Sequence, residues 1–105
     1  MQAIVNTKAD LISLLINNQG RILQYGVKQL GLFGSFVRNE AKQDSDIDFL
    51  IEFYPEHKTL KNLVRLSDVL EEITGRKVEV VILQSLSKYI GPYILNEVEY
   101  VPIAN

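Results

Sequence analysis

A chain of 105 residues with 47% hydrophobic and 23% charged residues has ordinary globular composition and room for a single domain, residues 1–105. The net charge of −2 argues against direct nucleic-acid binding, and the absence of cysteine excludes disulfides, zinc–thiolate centres and thiol catalysis. No run approaches the ~18 apolar residues of a membrane span. The opening MQAIVNTKAD lacks the basic start and apolar core of a signal peptide, so a cytoplasmic protein with no membrane contact is expected.

Thr7 is an N-cap candidate for a first helix whose buried face carries Leu11, Leu14 and Leu15, broadened by Ile12 and Ile16. Asn17-Asn18-Gln19-Gly20 reads as its end, and a short amphipathic piece, Arg21 to Tyr25, leads to Gly26. A first strand is expected near Gln29 to Phe33, then a short helix over Phe36 to Asn39 and a polar loop from Glu40 to Ser45. The second strand runs from about Ile47 to Phe53 and is broken by Tyr54-Pro55-Glu56-His57. Leu60, Leu63, Val64, Leu66, Val69, Leu70 and Ile73 form the apolar side of a helix from Thr59 to about Thr74, with Gly75 as its C-terminal cap and Arg76-Lys77 near its negative end. Val78 to Leu83 is a third strand, Leu86 to Ile90 a short helical turn, and Gly91-Pro92 opens a last helix reaching about Val98. Tyr100-Val101-Pro102 trails off. This order gives an α/β (α+β) fold, a mixed sheet of about three to four strands covered by helices.

The organising stretch is LFGSFVRNEAKQDSDIDFLIEF, Leu32 to Phe53. Side chains two apart on a strand share a face roughly 6.5–7 Å apart, so Asp46 and Asp48 stand side by side while Ile47, Phe49 and Ile51 point the other way. Two hard oxygen donors so placed suit Mg²⁺, which is held by carboxylates together with substrate phosphates. Gly34-Ser35 adds a tight turn whose N–H groups and hydroxyl can meet a phosphate. Glu79 is the single acid of the third strand. If that strand lies beside the second, Glu79 joins the aspartates on one face, and three converging acids call for a divalent counter-charge. Alternatively it is an edge strand with Glu79 in water, paired with Arg76 or Lys77. Strand pattern alone leaves both open; taken with the Asp46/Asp48 pair, the metal reading is preferred.

Gly34-Ser35, ten intervening residues and Asp46-Ile47-Asp48, flanked by LGLFGSFVRNEA and DSDIDFLIEF, resemble the signature of the nucleotidyltransferase superfamily related to DNA polymerase β. The similarity runs from Thr7 to Val101 and is strongest to the minimal nucleotidyltransferases, the antitoxin half of two-gene modules (MntA-like) whose partner is an all-helical HEPN-type RNase toxin. The resemblance implies Mg²⁺-dependent transfer of AMP from ATP to a tyrosine of that toxin, in a type VII-like toxin–antitoxin system. By position, Gly34 and Ser35 would hold the triphosphate. Asp46 and Asp48 would bind two metal ions, and Glu79 would complete the ion that activates the acceptor hydroxyl. Arg38 matches the basic residue after the Gly-Ser turn, a phosphate or partner contact whose alternative is an exposed helix charge. Asn39 stands where the family usually has glycine, and asparagine tolerates a left-handed backbone. Glu79 stands where the third acid is usually aspartate, one methylene shorter.

Other residues read more plainly. His57 is a surface residue without a ligand-spaced partner, and Lys42 is a solvated loop lysine. Ser45 shapes the turn into the strand through a side-chain hydrogen bond. Tyr89, Tyr93 and Tyr100 are read as packing at the core edge, with partner contact the alternative. The DSDID run fails the calcium-loop spacing. Two function classes follow: an adenylyltransferase antitoxin that modifies its partner, and a nucleotide-binding module, weak in catalysis because of Glu79, that silences the partner by covering it. A small-molecule adenylyltransferase is disfavoured, since such proteins normally carry a further domain.

Overall fold

The computed structural model describes residues 5–103, so the first four residues of MQAIVNTKAD, part of the stretch on which the signal-peptide expectation rests, lie outside the described residues. Thr7 caps α1 (Lys8–Asn17) by accepting the Asp10 N–H at 3.1 Å. Asn18 closes the helix with its backbone N–H and its side-chain amide, which donates to the Leu14 carbonyl at 2.8 Å. The sequence places the helix end across Asn17–Gly20. Helix α1 ends there, at Asn17, and a second short helix, α2 (Gln19–Leu23), starts at once and takes in Gly20, because Ile22 has a buried seat on the core.

Strand β1 (Val27–Phe33) starts two residues before the expected Gln29, with an irregularity between Val27 and Gln29. After Phe33 a single 3-10 turn, Gly34–Phe36, replaces the expected helix to Asn39. Asn39 adopts φ 63° and the Glu40 N–H donates to the Ser35 carbonyl at 2.8 Å, which turns the chain out of any helix. Strand β2 is Ile47–Phe53, with the boundaries its alternation implies. Helix α3 (Leu60–Thr74) starts on Thr59, whose hydroxyl accepts the Asn62 N–H at 3.1 Å, and stops at Gly75 with φ 70°. Strand β3 (Val78–Ile82), helix α4 (Gly91–Glu97) and a two-residue strand β4 (Glu99–Tyr100) complete the chain. A 3-10 turn at Leu83–Ser85 follows β3, and the expected turn within Leu86–Ile90 is present, closed by the Gly91 N–H donating to the Ser87 carbonyl at 2.8 Å. Tyr100 does not trail off: β4 pairs antiparallel with Gly31 and Leu32 of β1.

The sheet order is β3-β2-β1-β4, with β1 antiparallel to both neighbours and β3 parallel to β2, the crossover being α3. One face is greasy: Leu30 and Leu32 of β1 pair with Ile51 and Phe49 of β2. They pack with Leu11, Leu15 and Ile22 of the first two helices and Leu66, Leu70 and Ile73 of α3 into the main core. Leu60 and Val64, expected on the apolar side of α3, are instead exposed. Val64 lies about 200° round the helix from Leu66, and Leu60 belongs to the unpaired first turn. The opposite face carries Phe33, Asp48 and Glu79, side by side in register, and α4 lies against it, with Val98 and Tyr100 over Gly31. Among the described residues no helix is long and apolar enough to cross a membrane.

Candidate active site

The functional face is built where three strands deliver their ends together. Phe33, the last residue of β1, pairs with Asp48 of β2, and Asp48 pairs with Glu79 of β3. Residues paired across a sheet share a face, so the second and third acids are neighbours, as the metal reading of Glu79 requires. The rival reading holds in part: β3 is an edge strand and Glu79 is exposed. Neither Arg76 nor Lys77 pairs with it, however; Arg76 is buried beneath the loop before β2.

Gly34 sits against this pair in a left-handed conformation, φ 79°, and a Cβ there would collide with the Asp48 carboxylate. Only glycine allows the phosphate-type turn to approach the acid so closely. Burial, then the negative charge of Glu79 and a hydrogen bond with it, and then Asp46, push the Asp48 carboxyl up to about 6. Asp46 lies exposed in the loop just before β2 and acts on Asp48 through charge. Asp48 and Glu79 are therefore in contact with Asp46 close by. Among the described residues, no group of three histidines, cysteines or acids already converges into a metal cage. The donors are nonetheless hard oxygens with an excess of negative charge, which is the chemistry that suits Mg²⁺.

Sequence reading missed Glu97, at the end of α4. Its Oε1 accepts the Gly34 N–H at 2.8 Å, and both its oxygens accept from Arg38 Nη1, at 3.1 and 2.9 Å. The Gly34 bond, followed by the guanidinium, holds the Glu97 carboxyl below its ordinary value. Arg38 also donates from Nε to Glu40 at 2.8 Å, and the two carboxylates raise its pKa. A carboxylate thus occupies the N–H and the cation that a phosphate would use. A signal was available: an acid ending a helix opposes the helix dipole and needs a donor or cation elsewhere. Ser35 lies half-buried beside this contact, and its hydroxyl makes no hydrogen bond among the described residues.

Between β3 and α4 a cavity of about 440 Å³ opens onto the site, lined by Phe33, Gly34, Arg38, Glu79, Val81, Ile90, Tyr93, Ile94 and Glu97. Tyr93 and Tyr89 are each 76% exposed and Tyr100 is 45% exposed, which overturns core packing for all three. The single-layer cover of this face leaves no second apolar wall for them. His57 is a surface residue as expected, its ring lying against Gly26. Lys42 is exposed, and the Ser45 hydroxyl accepts the Lys42 N–H at 2.8 Å, shaping the turn into β2.

A glycine turn butted against one of two paired strand acids, on a half-covered mixed sheet, defines a nucleotidyltransferase. The nucleotidyltransferase domain family matches residues 17–101, and the chain belongs to it and is an enzyme of that class. It is 42% identical over 96 residues to the protein adenylyltransferase MntA of Thermococcus cleftensis, covering 90% of this chain and 96% of that protein. A candidate protein adenylyltransferase of Methanocaldococcus jannaschii is 47% identical over 76 residues, covering 72% and 81%. Among solved structures, a candidate minimal nucleotidyltransferase superposes with a TM-score of 0.78 at 28% identity, covering 90% of this chain and 95% of the other. A toxin–antitoxin complex with AMP-PNP shares the fold, with a TM-score of 0.65 at 21% identity, covering 85% and 73%.

Proposed function

We propose that the chain, as one domain over residues 1–105, transfers AMP from ATP with Mg²⁺ to a tyrosine hydroxyl of a HEPN-type RNase toxin. It would thereby act as the cytoplasmic antitoxin of a type VII-like module. The observation that carries the reading is the contact of Asp48 with both Glu79 and the Gly34 turn, which sets acid donors beside an anion-binding N–H. The relationship to the adenylyltransferase of Thermococcus cleftensis, across nearly the whole of both chains, supports AMP as the group moved and a protein as its acceptor. A fold neighbour described as the antitoxin of a tri-AMPylated HEPN toxin fits the same partner class.

In this mechanism Gly34 N–H, Ser35 and Arg38 hold the triphosphate, taking over the contacts that Glu97 makes in the free protein. Asp46 and Asp48 would ligate both Mg²⁺ ions and Glu79 one of them. Bound Mg²⁺ supplies charge neutralisation at the phosphates and lowers the pKa of the acceptor hydroxyl. The acceptor oxygen bonds to the α-phosphorus, the bond to the β-phosphate breaks and pyrophosphate leaves. On this reading the hydroxyl proton would pass to Glu79, the acid assigned to the acceptor side. Incubation with the partner, Mg²⁺ and α-labelled ATP should label the partner, and Asp46→Asn with Asp48→Asn should abolish the label.

Two observations favour a second reading: Glu97 accepts the Gly34 N–H, and among the described residues the three acids form no converged metal-binding group. On that reading the domain binds nucleotide, turns over weakly and neutralises its partner by covering it. Neutralisation that survives the double substitution, with no label transferred, would establish occlusion in place of transfer.

A further inference from the structure

Arg76 is the one charged side chain that is buried among the described residues, at 8% exposure. Among the described residues no carboxylate pairs with it. Nη1 donates to the carbonyls of Lys42, Gln43 and Ser45 at 3.1, 2.9 and 3.0 Å. Nε donates to the Val5 carbonyl, and Nη2 donates to Asn6 Oδ1 at 3.2 Å. The guanidinium carbon lies 5.1 Å from the centroid of the Phe36 ring. Burying a cation among neutral dipoles is costly, and for stability alone an apolar side chain would often serve as well. Three of these five hydrogen bonds, and the ring contact with Phe36, fall on one segment, residues 36–45.

That segment joins the two halves of the candidate site. Phe36 follows Ser35 directly and Ser45 precedes Asp46 directly, so the guanidinium touches both ends of the ten-residue connection. The residue after Asp46 is tied to the same place, since the Ile47 N–H donates to the Lys77 carbonyl at 3.0 Å. Asp46 is therefore bracketed: the carbonyl before it goes to Arg76 and the N–H after it to Lys77. Its own exposed carboxylate makes no hydrogen bond among the described residues, so its position is inherited from this backbone clamp.

We propose that Arg76 is a positioning residue for nucleotide transfer, fixing Asp46 relative to the Gly34–Ser35 turn by holding the loop carbonyls and the Phe36 ring. The inference rests on the reading of Asp46 as a metal-binding acid. A guanidinium meets several carbonyls in one plane while stacking on an aromatic ring; an ammonium does not, so lysine is not an equivalent here.

Mn²⁺ binding in the presence of AMP-PNP, followed by the loss of the free-ion resonance signal, tests this without turnover. Arg76→Lys should weaken Mn²⁺ binding by about tenfold, the usual effect of losing a group that orients a metal ligand. AMP-PNP binding in EDTA should change less than about twofold, because the Gly34 turn is left in place. Methylguanidinium should restore part of the Mn²⁺ affinity of Arg76→Ala. Ser45→Ala, which frees the Lys42 N–H at a surface position, should weaken Mn²⁺ binding by about two- to threefold with an unchanged melting temperature, and it decides the matter if neither Arg76 variant folds. Folded variants that bind Mn²⁺ as the parent does overturn the positioning role and leave the functional reading intact. A parent protein that binds no Mn²⁺ with AMP-PNP overturns both.

Discussion

Asp48 and Glu79 stand opposite each other on the parallel β2–β3 pair, with their carboxyls in hydrogen-bonding contact and the Gly34 turn pressed against Asp48. Burial, and then the charge of Glu79, disfavour a second negative charge here, which is why Asp48 holds its proton up to about pH 6. That cost appears only in the folded state without a counter-ion. Its consequences for the free protein are measurable.

The folded pKa of Asp48 is raised from 3.8 to about 6, so the folded state binds more protons than the unfolded chain between those values. Stability contributed by this group is full below about pH 4 and is lost as pH rises through 6. In EDTA, Asp48→Asn should therefore be more stable than the parent at pH 7.5, by on the order of 2 kcal/mol, and level with it near pH 4. Chemical denaturation at the two pH values checks this. Mg²⁺ with AMP-PNP should then stabilise the parent and leave the variant nearly unmoved.

Glu97 makes the opposite prediction for ligand binding. Its carboxylate holds the Gly34 N–H and Arg38, the groups assigned to the triphosphate. Glu97→Gln keeps a hydrogen-bond acceptor but loses the ion pair, so pyrophosphate should bind about three- to tenfold tighter by calorimetry. Unchanged or weaker binding would show that Glu97 does not compete for that position. Because its folded pKa is lowered, its own contribution to stability is present above the unfolded carboxyl value and lost as pH falls through the depressed one. The variant should therefore flatten the acid limb of the melting curve.

How far the sequence could be read depends on the range of each cause. Strand β2 was legible to the residue because alternating Ile47, Phe49 and Ile51 against Asp46 and Asp48 is a local pattern. Thr7, Thr59 and Gly75 were legible because capping chemistry acts within three or four residues. The pairing of Asp48 with Glu79 followed from one assumption about strand order, which the sheet satisfies. Glu97 and Arg76 escaped because their partners are 63 and about 30 residues away in sequence, at Gly34 and at Gln43–Ser45. The tyrosines were misjudged for a related reason: half-buried and exposed tyrosines share one local pattern, and only the thin cover over the second sheet face separates them.

Gly34→Ala tests the close approach at the turn. The backbone there has φ 79° and the added methyl would strike the Asp48 carboxylate, so strain and collision act together. The variant should lose about 2–3 kcal/mol of stability at neutral pH. It should also lose most ATP binding, because relief of the left-handed strain moves the Gly34 N–H, the group assigned to the phosphates. Gly20→Ala, with open space around the Cβ inside α2, is the control and should be neutral or slightly stabilising in the same melts.

Glu79 separates binding from chemistry. Its side chain is exposed and lies across Asp48 from the Gly34 turn, lining the same cavity as Gly34 and Arg38 but hydrogen-bonded to neither among the described residues. Glu79→Gln keeps the length and a hydrogen bond to Asp48 while removing one negative charge. Asp48 should then ionise at lower pH, since the Glu79 charge ranks next after burial among the causes of its raised value. ATP affinity with Mg²⁺ should change by less than about threefold, whereas AMP transfer to the partner should fall on the order of 100-fold or more, the scale expected for a group that handles the acceptor proton. Glu79→Asp, which draws the carboxylate back by one methylene, distinguishes two roles. Restored transfer would mean that only charge is required near Asp48, and transfer as low as that of Glu79→Gln would mean that the longer reach places the oxygen at the acceptor. Single-turnover labelling of the partner at saturating ATP measures each, free of differences in nucleotide binding.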